Sequence, residues 1–253
     1  MIRCICSVSL PLLCLTLAVV PAAQAATYSI GAALEDYEAH RQVDTGAFGV
    51  SNGASGYLRI GTRTLGTSGT AASALFPFAL PELAPGEVIT SATLSVLSEA
   101  MTGNFPVANV DLYGLPLDPA PVTQDGSWYF SGANDSTVGV TKLQDNFLVP
   151  SDMTGTRTRY VSTDISGYIN SLYGAGAAAG DFATIRLSYD QEVDTTAHNR
   201  YQIRSRQASS TVENSEDQWP LLIITTEVIP EPGVAMVGLI GMMALLRRRA
   251  GRC

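Results

Sequence analysis

Apolar and polar residues alternate with a period of two over much of the chain, and turn-forming residues separate these runs. Such alternation places every second side chain on the same face, so it predicts β-strands that bury one face. The clearest run, Ser73–Leu80, places Ala74, Phe76, Phe78 and Leu80 together. The predicted strands are Tyr57–Gly61, Ser73–Leu80, Val88–Leu97, Val107–Leu115, Thr158–Thr163, Phe182–Tyr189, Arg200–Arg206 and Leu221–Thr226.

Helical spacing is confined to one short segment. The apolar residues of Asp164–Tyr173 recur at intervals of three and four, which predicts a short helix there. The region Pro116–Gly155 is rich in proline and glycine and is predicted to consist mainly of loops. Many short strands, one helix and no alternation of strands with helices predict an all-β fold, an antiparallel β-sandwich of jelly-roll type.

Residues 1–25 have the three parts of a secretory signal peptide. Arg3 provides a basic start, an apolar run extends from Val8 to Val20, and Ala23 and Ala25 provide the small residues that signal peptidase requires. We therefore predict cleavage after Ala25. The alternative is a retained membrane anchor, which the shortness of the apolar run disfavours.

Residues 228–253 contain a second three-part pattern. Pro230-Glu231-Pro232 is followed by an uncharged segment over 233–246 and then by Arg247, Arg248 and Arg249. A helix over 233–246 would be about 21 Å long at ~1.5 Å per residue, shorter than the roughly 30 Å hydrocarbon core of a bilayer. We predict a short transmembrane helix that holds the precursor only transiently in the inner membrane. The arginines should remain in the cytoplasm, which places the body outside.

This order of motif, apolar segment and arginine cluster resembles the PEP-CTERM sorting signal of Gram-negative bacteria. The resemblance implies that Pro230, Glu231 and Pro232 form the recognition motif and that Arg247–Arg249 complete the signal. It also implies an exosortase as partner, a membrane cysteine protease that processes the tail during export. Members of this family accompany exopolysaccharide and biofilm production, so the implied destination is the cell surface or the extracellular matrix. An ordinary tail anchor is the alternative.

The intervening residues 26–227 form the predicted β-sandwich ectodomain. All four cysteines of the chain, Cys4, Cys6, Cys14 and Cys253, lie in the end segments, so this domain has no disulfide and no thiolate metal site. The chain has a net charge of −8 and a single lysine, Lys142. This acidity argues against a nucleic-acid partner, because phosphate binding requires basic surfaces, and it is compatible with a structural calcium ion.

The body resembles DNRLRE-type jelly-roll domains, which are bacterial and archaeal surface domains related in fold to carbohydrate-binding modules. This resemblance implies the jelly-roll fold rather than a particular ligand, because Gln207 stands where the family has an acidic residue. The segments that carry it, in order, are Ala74–Phe78, Ile89–Val96, Val161–Ile165, Arg204–Arg206 and Trp219–Ile224.

The chain lacks the sequence patterns of known catalytic sites. His40 and His198 are the only histidines, and no Gly-x-Ser-x-Gly, His-Glu-x-x-His or phosphate-binding glycine motif accompanies them. We predict that both are solvated and that the domain is non-catalytic and binds no cofactor. Trp128 and Tyr129 are candidate carbohydrate contacts, because sugar C–H groups pack on aromatic faces. The favoured interpretation is nevertheless that they attach the long loop to the core.

Charged residues form three further groups that could contribute to binding. For the two acidic groups, of which the first is a candidate calcium site, a solvated loop is the favoured interpretation. For the basic group, which would share one strand face, we expect pairing with acidic neighbours, with contact to an anionic polysaccharide as the alternative. The groups are Asp190, Glu192 and Asp194; Glu35, Asp36 and Glu38; and Arg200, Arg204 and Arg206.

These observations favour an exported surface or matrix protein whose non-catalytic sandwich interacts with exopolysaccharide. Two alternatives stay open from the sequence. One is a polysaccharide-cleaving enzyme that uses carboxylates in Pro116–Gly155 or elsewhere, because glycoside cleavage needs only two carboxyl groups at a fixed separation. The other is a purely structural matrix component without a sugar site.

Overall fold

The structure is a computed structural model, which describes residues 25–52, 56–65, 68–99, 108–118, 124–152, 156–192, 199–206 and 216–229. Contacts divide the chain into two units. One is Ala25–Val228, and the other combines Met1–Gln24 with Ile229–Cys253. Of the second unit only Ile229 is described, so most of the predicted signal peptide and the whole motif, helix and arginine cluster of the sorting signal lie outside the described residues.

The described residues form an all-β fold with one short helix, which confirms the predicted fold class. Every strand pairing is antiparallel. The helix α1 spans Ser166–Gly174. The strands are β1 (Ala25–Gly31), β2 (Tyr37–Gln42), β3 (Phe48–Asn52), β4 (Tyr57–Leu65), β5 (Ser68–Ala79), β6 (Glu87–Ser98), β7 (Val110–Gly114), β8 (Thr141–Leu148), β9 (Thr158–Val161), β10 (Phe182–Tyr189), β11 (Asn199–Arg204) and β12 (Leu221–Val228).

Two strands of twelve residues organise the sandwich. β5 pairs with β4 through its first half and with β10 through its second half, while β2 lies along its other edge. β6 pairs with β12 and bridges to β11 on one edge, and β9 pairs with its other edge. β1 pairs with β12, so the first and last strands of the body lie side by side. Cleavage after Ala25 would leave the rest of this pairing intact.

The alternating positions of the strands form the main core as the sequence predicts. Residues 74, 76, 78 and 80 of the β5 region are all buried, as are Ala92, Leu94 and Val96 of β6. The helix adds Tyr168, Ile169 and Leu172 to the same cluster. The Tyr168 hydroxyl donates to the carbonyl oxygens of Leu115 and Thr184, at 2.9 and 3.1 Å, which satisfies the buried phenol.

The region Pro116–Gly155, which was predicted to consist mainly of loops, also contains strand β8. Three other strands, β1, β2 and β3, were also absent from the sequence prediction. β8 pairs only with β7, its register is irregular, and Asn146 has a φ of 53°. β3 pairs only with β2. Among the described strands, β1, β3 and β8 each have one partner, and such edge strands need little apolar alternation, which removes the signal on which the prediction depends. β2 lies between β3 and β5 but has only two apolar residues, Tyr37 and Ala39.

Candidate functional site

The segment from Gln124 to Val140 lies over one face of the sheet formed by β2, β5, β10 and β7. Asp125 begins a short 3-10 turn at Gly126–Trp128, where its side chain accepts from the Ser127 backbone N–H at 2.8 Å and from the Ser127 hydroxyl at 2.6 Å. These bonds lower the pKa of Asp125. A Cβ atom added to Gly126 would lie 2.7 Å from the backbone of Gly49 on β3, so the turn packs directly against that strand.

Trp128 and Tyr129 attach this segment to a second, smaller core. Both side chains are partly buried and pack against a cluster that β2 and β5 provide. The Tyr129 hydroxyl donates to the Ser131 hydroxyl at 2.8 Å, and burial raises the pKa of Tyr129. The packing matches the favoured interpretation, in which these aromatics attach the long loop to the core. The buried members of the cluster are Tyr37, Ala39, Leu75 and Leu115.

A buried ion pair fixes the same segment at its centre. Arg186 of β10 and Asp135 of the segment lie 2.5 Å apart, with side-chain exposures of only 1% and 3%. The guanidinium also donates to the Trp128 carbonyl at 3.2 Å. Its central carbon lies 4.8 Å from the centroid of Tyr113 and 5.1 Å from that of Phe130, and these two rings contact each other edge to face. The segment is therefore anchored by one buried charge pair that packs against two aromatic rings.

The chemistry of this pair maintains the ionised state of Asp135. Burial opposes ionisation, but hydrogen bonds from Thr137 and the positive charge of Arg186 hold the pKa of Asp135 below its usual value. The Thr137 backbone N–H donates to Asp135 at 2.8 Å. Sequence analysis did not single out Arg186, Asp135 or Phe130. The one available signal was a lone arginine inside the apolar strand Phe182–Tyr189, which has to be paired if it is buried.

Beside the anchored segment lies an open depression of about 660 Å³. Phe48 of β3 forms part of its wall and is 59% exposed, a large apolar ring held in contact with solvent. Its centroid lies 6.4 Å from that of Tyr129, at an angle of 45°. The remaining lining residues combine charged, hydroxyl and apolar groups and are Arg41, Val43, Gly46, Ala71, Phe130, Ser131 and Glu192.

This combination suits a small polar ligand with an apolar face. The two angled rings can pack against C–H groups, while the guanidinium of Arg41 and the carboxylate of Glu192 can bind hydroxyl groups. Both charged side chains line the same depression as Tyr129 and act electrostatically on its pKa, Arg41 downward and Glu192 upward. Of the two aromatics predicted as carbohydrate contacts, Tyr129 lines the depression, whereas Trp128 is not among the lining residues.

The structure separates the candidate calcium ligands into different surroundings. Asp190 lies near Asp111, and burial together with that neighbouring carboxylate raises the pKa of Asp190. Glu192 lies in the depression, and Asp194 falls outside the described residues. Within the described part of the chain, no group of three or more His, Cys, Asp and Glu residues could hold a metal ion.

A lysine side chain forms ion pairs with two carboxylates near Asp190. The Lys142 ammonium lies 2.7 Å from Asp111 and 2.8 Å from Asp145, and Asp111 is fully buried. The Asn146 backbone N–H donates to the second oxygen of Asp111 at 2.9 Å. The single lysine of the chain is therefore a structural cation at the β7–β8 edge.

The prediction that Glu35, Asp36 and Glu38 form a solvated cluster is wrong for two of its members. Glu35 is exposed, but Asp36 is completely buried and Glu38 is only 4% exposed. Asp36 accepts from the Ser205 hydroxyl at 2.9 Å and from the Arg206 backbone N–H at 2.7 Å. Burial raises the pKa of Asp36 to about 7. The residues that bind it are 169 and 170 positions away, a separation that hides the contact from sequence inspection.

The predicted pairing with an acidic neighbour is confirmed for Arg204. Arg204 lies 2.9 Å from Glu99 and is 2% exposed. Arg206 donates to the Ala32 carbonyl at 2.6 Å and stacks on Trp219, with its central carbon 4.5 Å from the ring centroid. Both arginine side chains therefore make contacts that connect parts of the fold.

The structure tests the predicted solvation of only one of the two histidines. His40 was predicted to be solvated, but it is half-buried, and burial together with the charge of Arg59 lowers its pKa. His198 lies outside the described residues.

No protein-family model matches the chain, and no curated protein matches it. In the parts of the chain that the structure describes, no helix combines the length and apolar character needed to cross a membrane. The transmembrane segment predicted at 233–246 falls outside those parts.

Proposed function

We propose that this chain is an exported surface or matrix protein whose β-sandwich binds extracellular polysaccharide without cleaving it. The observation that carries the proposal is the exposed Phe48 ring beside Tyr129 in the open depression, flanked by Arg41 and Glu192. An exposed aromatic wall next to polar groups is the arrangement that a sugar ring needs, with one apolar face and several hydroxyls. The sequence signals for export agree with this destination.

The lining of the depression gives no support to glycoside cleavage. Two carboxyl groups on opposite sides of the scissile bond are needed for that reaction in most enzymes of this class. Among the described lining residues, Glu192 alone carries a carboxylate. Binding without catalysis is therefore the function that this surface favours.

Substituting Phe48 with alanine is expected to weaken polysaccharide binding about twofold to tenfold, because one aromatic contact contributes roughly 0.5–1.5 kcal/mol. The measurement is affinity electrophoresis and calorimetry of the full chain against a panel of neutral and acidic polysaccharides, with and without calcium. The ring is largely exposed, so the variant should retain the stability of the wild type.

Leu34→Ala provides the matched control, because Leu34 has the same 59% exposure as Phe48 and is not among the lining residues. Its affinity should equal that of the wild type. Failure of the wild-type chain to bind any polysaccharide would refute the binding function and favour a structural matrix role. Release of reducing ends from a bound polysaccharide would instead establish an enzyme.

We propose that an exosortase recognises the tail and processes it during export. In cells that contain an exosortase, the mature chain should have a mass that excludes Cys253, and deletion of the exosortase gene should restore the heavier form. A Glu231→Ala substitution in the Pro230-Glu231-Pro232 motif should have the same effect as that deletion. Equal masses that retain Cys253 in all these cells would show that the tail is an unprocessed anchor.

A further inference from the structure

One lysine and one aspartate are held in contact where strands β7 and β8 pair. Asp111 of β7 and Lys142 of β8 are 31 positions apart in the chain, and the Lys142 Nζ atom lies 2.7 Å from Oδ2 of Asp111. The Asp111 side chain has no exposed surface, whereas that of Lys142 is 27% exposed. An amine and a carboxyl group at this distance are the two halves of an amide bond, and their fixed proximity replaces the collision that free groups would need.

Both oxygens of the Asp111 carboxyl group also accept hydrogen bonds from donors other than the lysine. The Asn146 backbone N–H donates to Oδ1 at 2.9 Å, and the Tyr113 hydroxyl donates to Oδ2 at 3.3 Å. The first donor points at the oxygen on which negative charge would develop if the amine attacked the carboxyl carbon. The second supports the oxygen that would then leave as water.

Asn146 is held in an unusual backbone conformation that directs its N–H at this carboxyl group. Its φ of 53° is the one positive value among the described residues other than glycine. Its side chain accepts from Asn109 at 2.6 Å and donates to Asp145 at 2.9 Å. These contacts fix a conformation that costs energy in most residues. None of these residues lines the depression, so the proposed function leaves the arrangement unexplained.

The lysine begins as an ammonium ion. Burial lowers the pKa of Lys142, but hydrogen bonds to Asp111 and Asp145 outweigh burial and raise it. The reactive form is therefore the minor neutral pair, in which the proton has moved from Nζ to Oδ2 along the 2.7 Å hydrogen bond. Burial of the carboxyl group favours this neutral pair more than water would. The reaction is expected to be slow, but it has to occur only once in the lifetime of the chain.

We propose that Lys142 and Asp111 condense to an intramolecular amide, a covalent cross-link between β7 and β8. In the neutral pair Nζ attacks Cγ of Asp111, and Oδ1 takes up negative charge beside the Asn146 N–H as the N–Cγ bond forms. A proton then passes from Nζ to Oδ2, the Cγ–Oδ2 bond breaks, and one water leaves. No co-reactant is needed, because the hydrogens of the ammonium group end as two on water and one on the amide.

The buried carboxyl group is the better acceptor of the two that contact the lysine. Asp145 lies 2.8 Å from the same Nζ atom, but its side chain is 65% exposed, so water stabilises its ionised form. A cross-link between residues 111 and 142 would restrict the unfolded chain as a disulfide does. The predicted ectodomain 26–227 contains no cysteine, so the amide would supply a kind of covalent closure that this domain cannot obtain from disulfides.

The test is the mass of the folded full-length chain, incubated until the mass is constant. The wild type should weigh one water molecule less than its sequence and its observed termini require. Because Lys142 is the only lysine, an amine-specific reagent in denaturant should label the N-terminal amine alone. Peptide mapping should find residues 111 and 142 in one branched peptide. A full mass together with a labelled Lys142 would show an ion pair only and would overturn the inference.

The variant Lys142→Arg separates the cross-link from the ion pair, since it keeps the positive charge beside both carboxylates but has no primary amine. Its mass should equal that of its sequence. A protease site inserted beside Val138, which is 92% exposed and lies between the two joined residues, gives a second readout. After cleavage the wild type should remain one band on a denaturing gel, and Lys142→Arg should separate into two. If Lys142→Arg does not fold, the mass and labelling of the wild type decide the question alone.

Asp145→Asn is the matched control for the choice of acceptor. It removes the exposed partner of the lysine and leaves Asp111 in place, so it should still lose one water molecule. A branched peptide joined at residue 145, or a full mass for Asp145→Asn beside a reduced mass for the wild type, would overturn the assignment of Asp111.

Discussion

Replacing Asp135 with alanine is expected to lower the free energy of unfolding by about 3–5 kcal/mol, because it leaves the buried Arg186 without its counter-charge. The Arg186 side chain is 1% exposed and packs against the rings of Tyr113 and Phe130, so the guanidinium cannot regain water without a rearrangement of its surroundings. Urea unfolding of the full chain, followed by near-ultraviolet circular dichroism, would measure the change. The segment that carries Asp135 should also become more sensitive to proteolysis.

The informative control removes both charges at once. The double variant Asp135→Leu/Arg186→Met replaces the ion pair with apolar side chains, and such replacements are often neutral or stabilising. We expect it to recover most of the stability that the single substitution loses. If the single and double variants were equally unstable, packing of the segment rather than its charge pair would hold it in place.

The pH dependence of stability is expected to be dominated by Asp36. Its pKa is raised by burial to about 7 in the folded chain, against 3.8 for an unperturbed carboxyl. Between these values the folded state holds a proton that the unfolded state has released. Stability should therefore be greatest below about pH 4 for this group and should fall by about 2–4 kcal/mol as the pH rises through 7.

Substituting Asp36 with asparagine should remove this decline, because an uncharged amide has no proton to lose. The amide oxygen can still accept from the Arg206 backbone N–H. The measurement is the difference in unfolding free energy between wild type and variant from pH 5 to 8. Glu35→Gln is the matched control, since Glu35 is the exposed neighbour, and it should retain the decline. Parallel curves for wild type and Asp36→Asn would contradict the assignment.

Much of the fold could be predicted from the sequence because burial imposes a pattern on central strands. β10 was predicted with its observed ends, Phe182–Tyr189, and β5 and β6 were predicted with their inward faces. Helix α1 was predicted from four apolar residues at helical spacing, and three of them are buried within it. In each of these elements the side chains that face the core must be apolar, so the spacing of apolar residues in the sequence indicates the type of element.

The candidate site was less predictable, since its residues come from distant parts of the chain. Tyr129 was singled out as an aromatic in a long loop, but the depression is completed by Arg41 of β2 and Phe48 of β3, two strands that were not predicted. Asp36 was expected to be solvated because a run of acidic residues usually is. Whether such a residue is solvated depends on whether donors such as Ser205 approach it, which no local pattern specifies.

By itself the sequence determined the fold class, the short helix, the absence of cysteine from the body and the acidic balance, because each follows from local composition or periodicity. Only the tertiary structure decided which charges are buried and which face solvent. It placed Arg186 and Asp135 in contact against two aromatic rings, and it buried Asp36 beside Ser205. The physical reason is that the energy of a charge depends on its surroundings in three dimensions, and chain folding sets those surroundings.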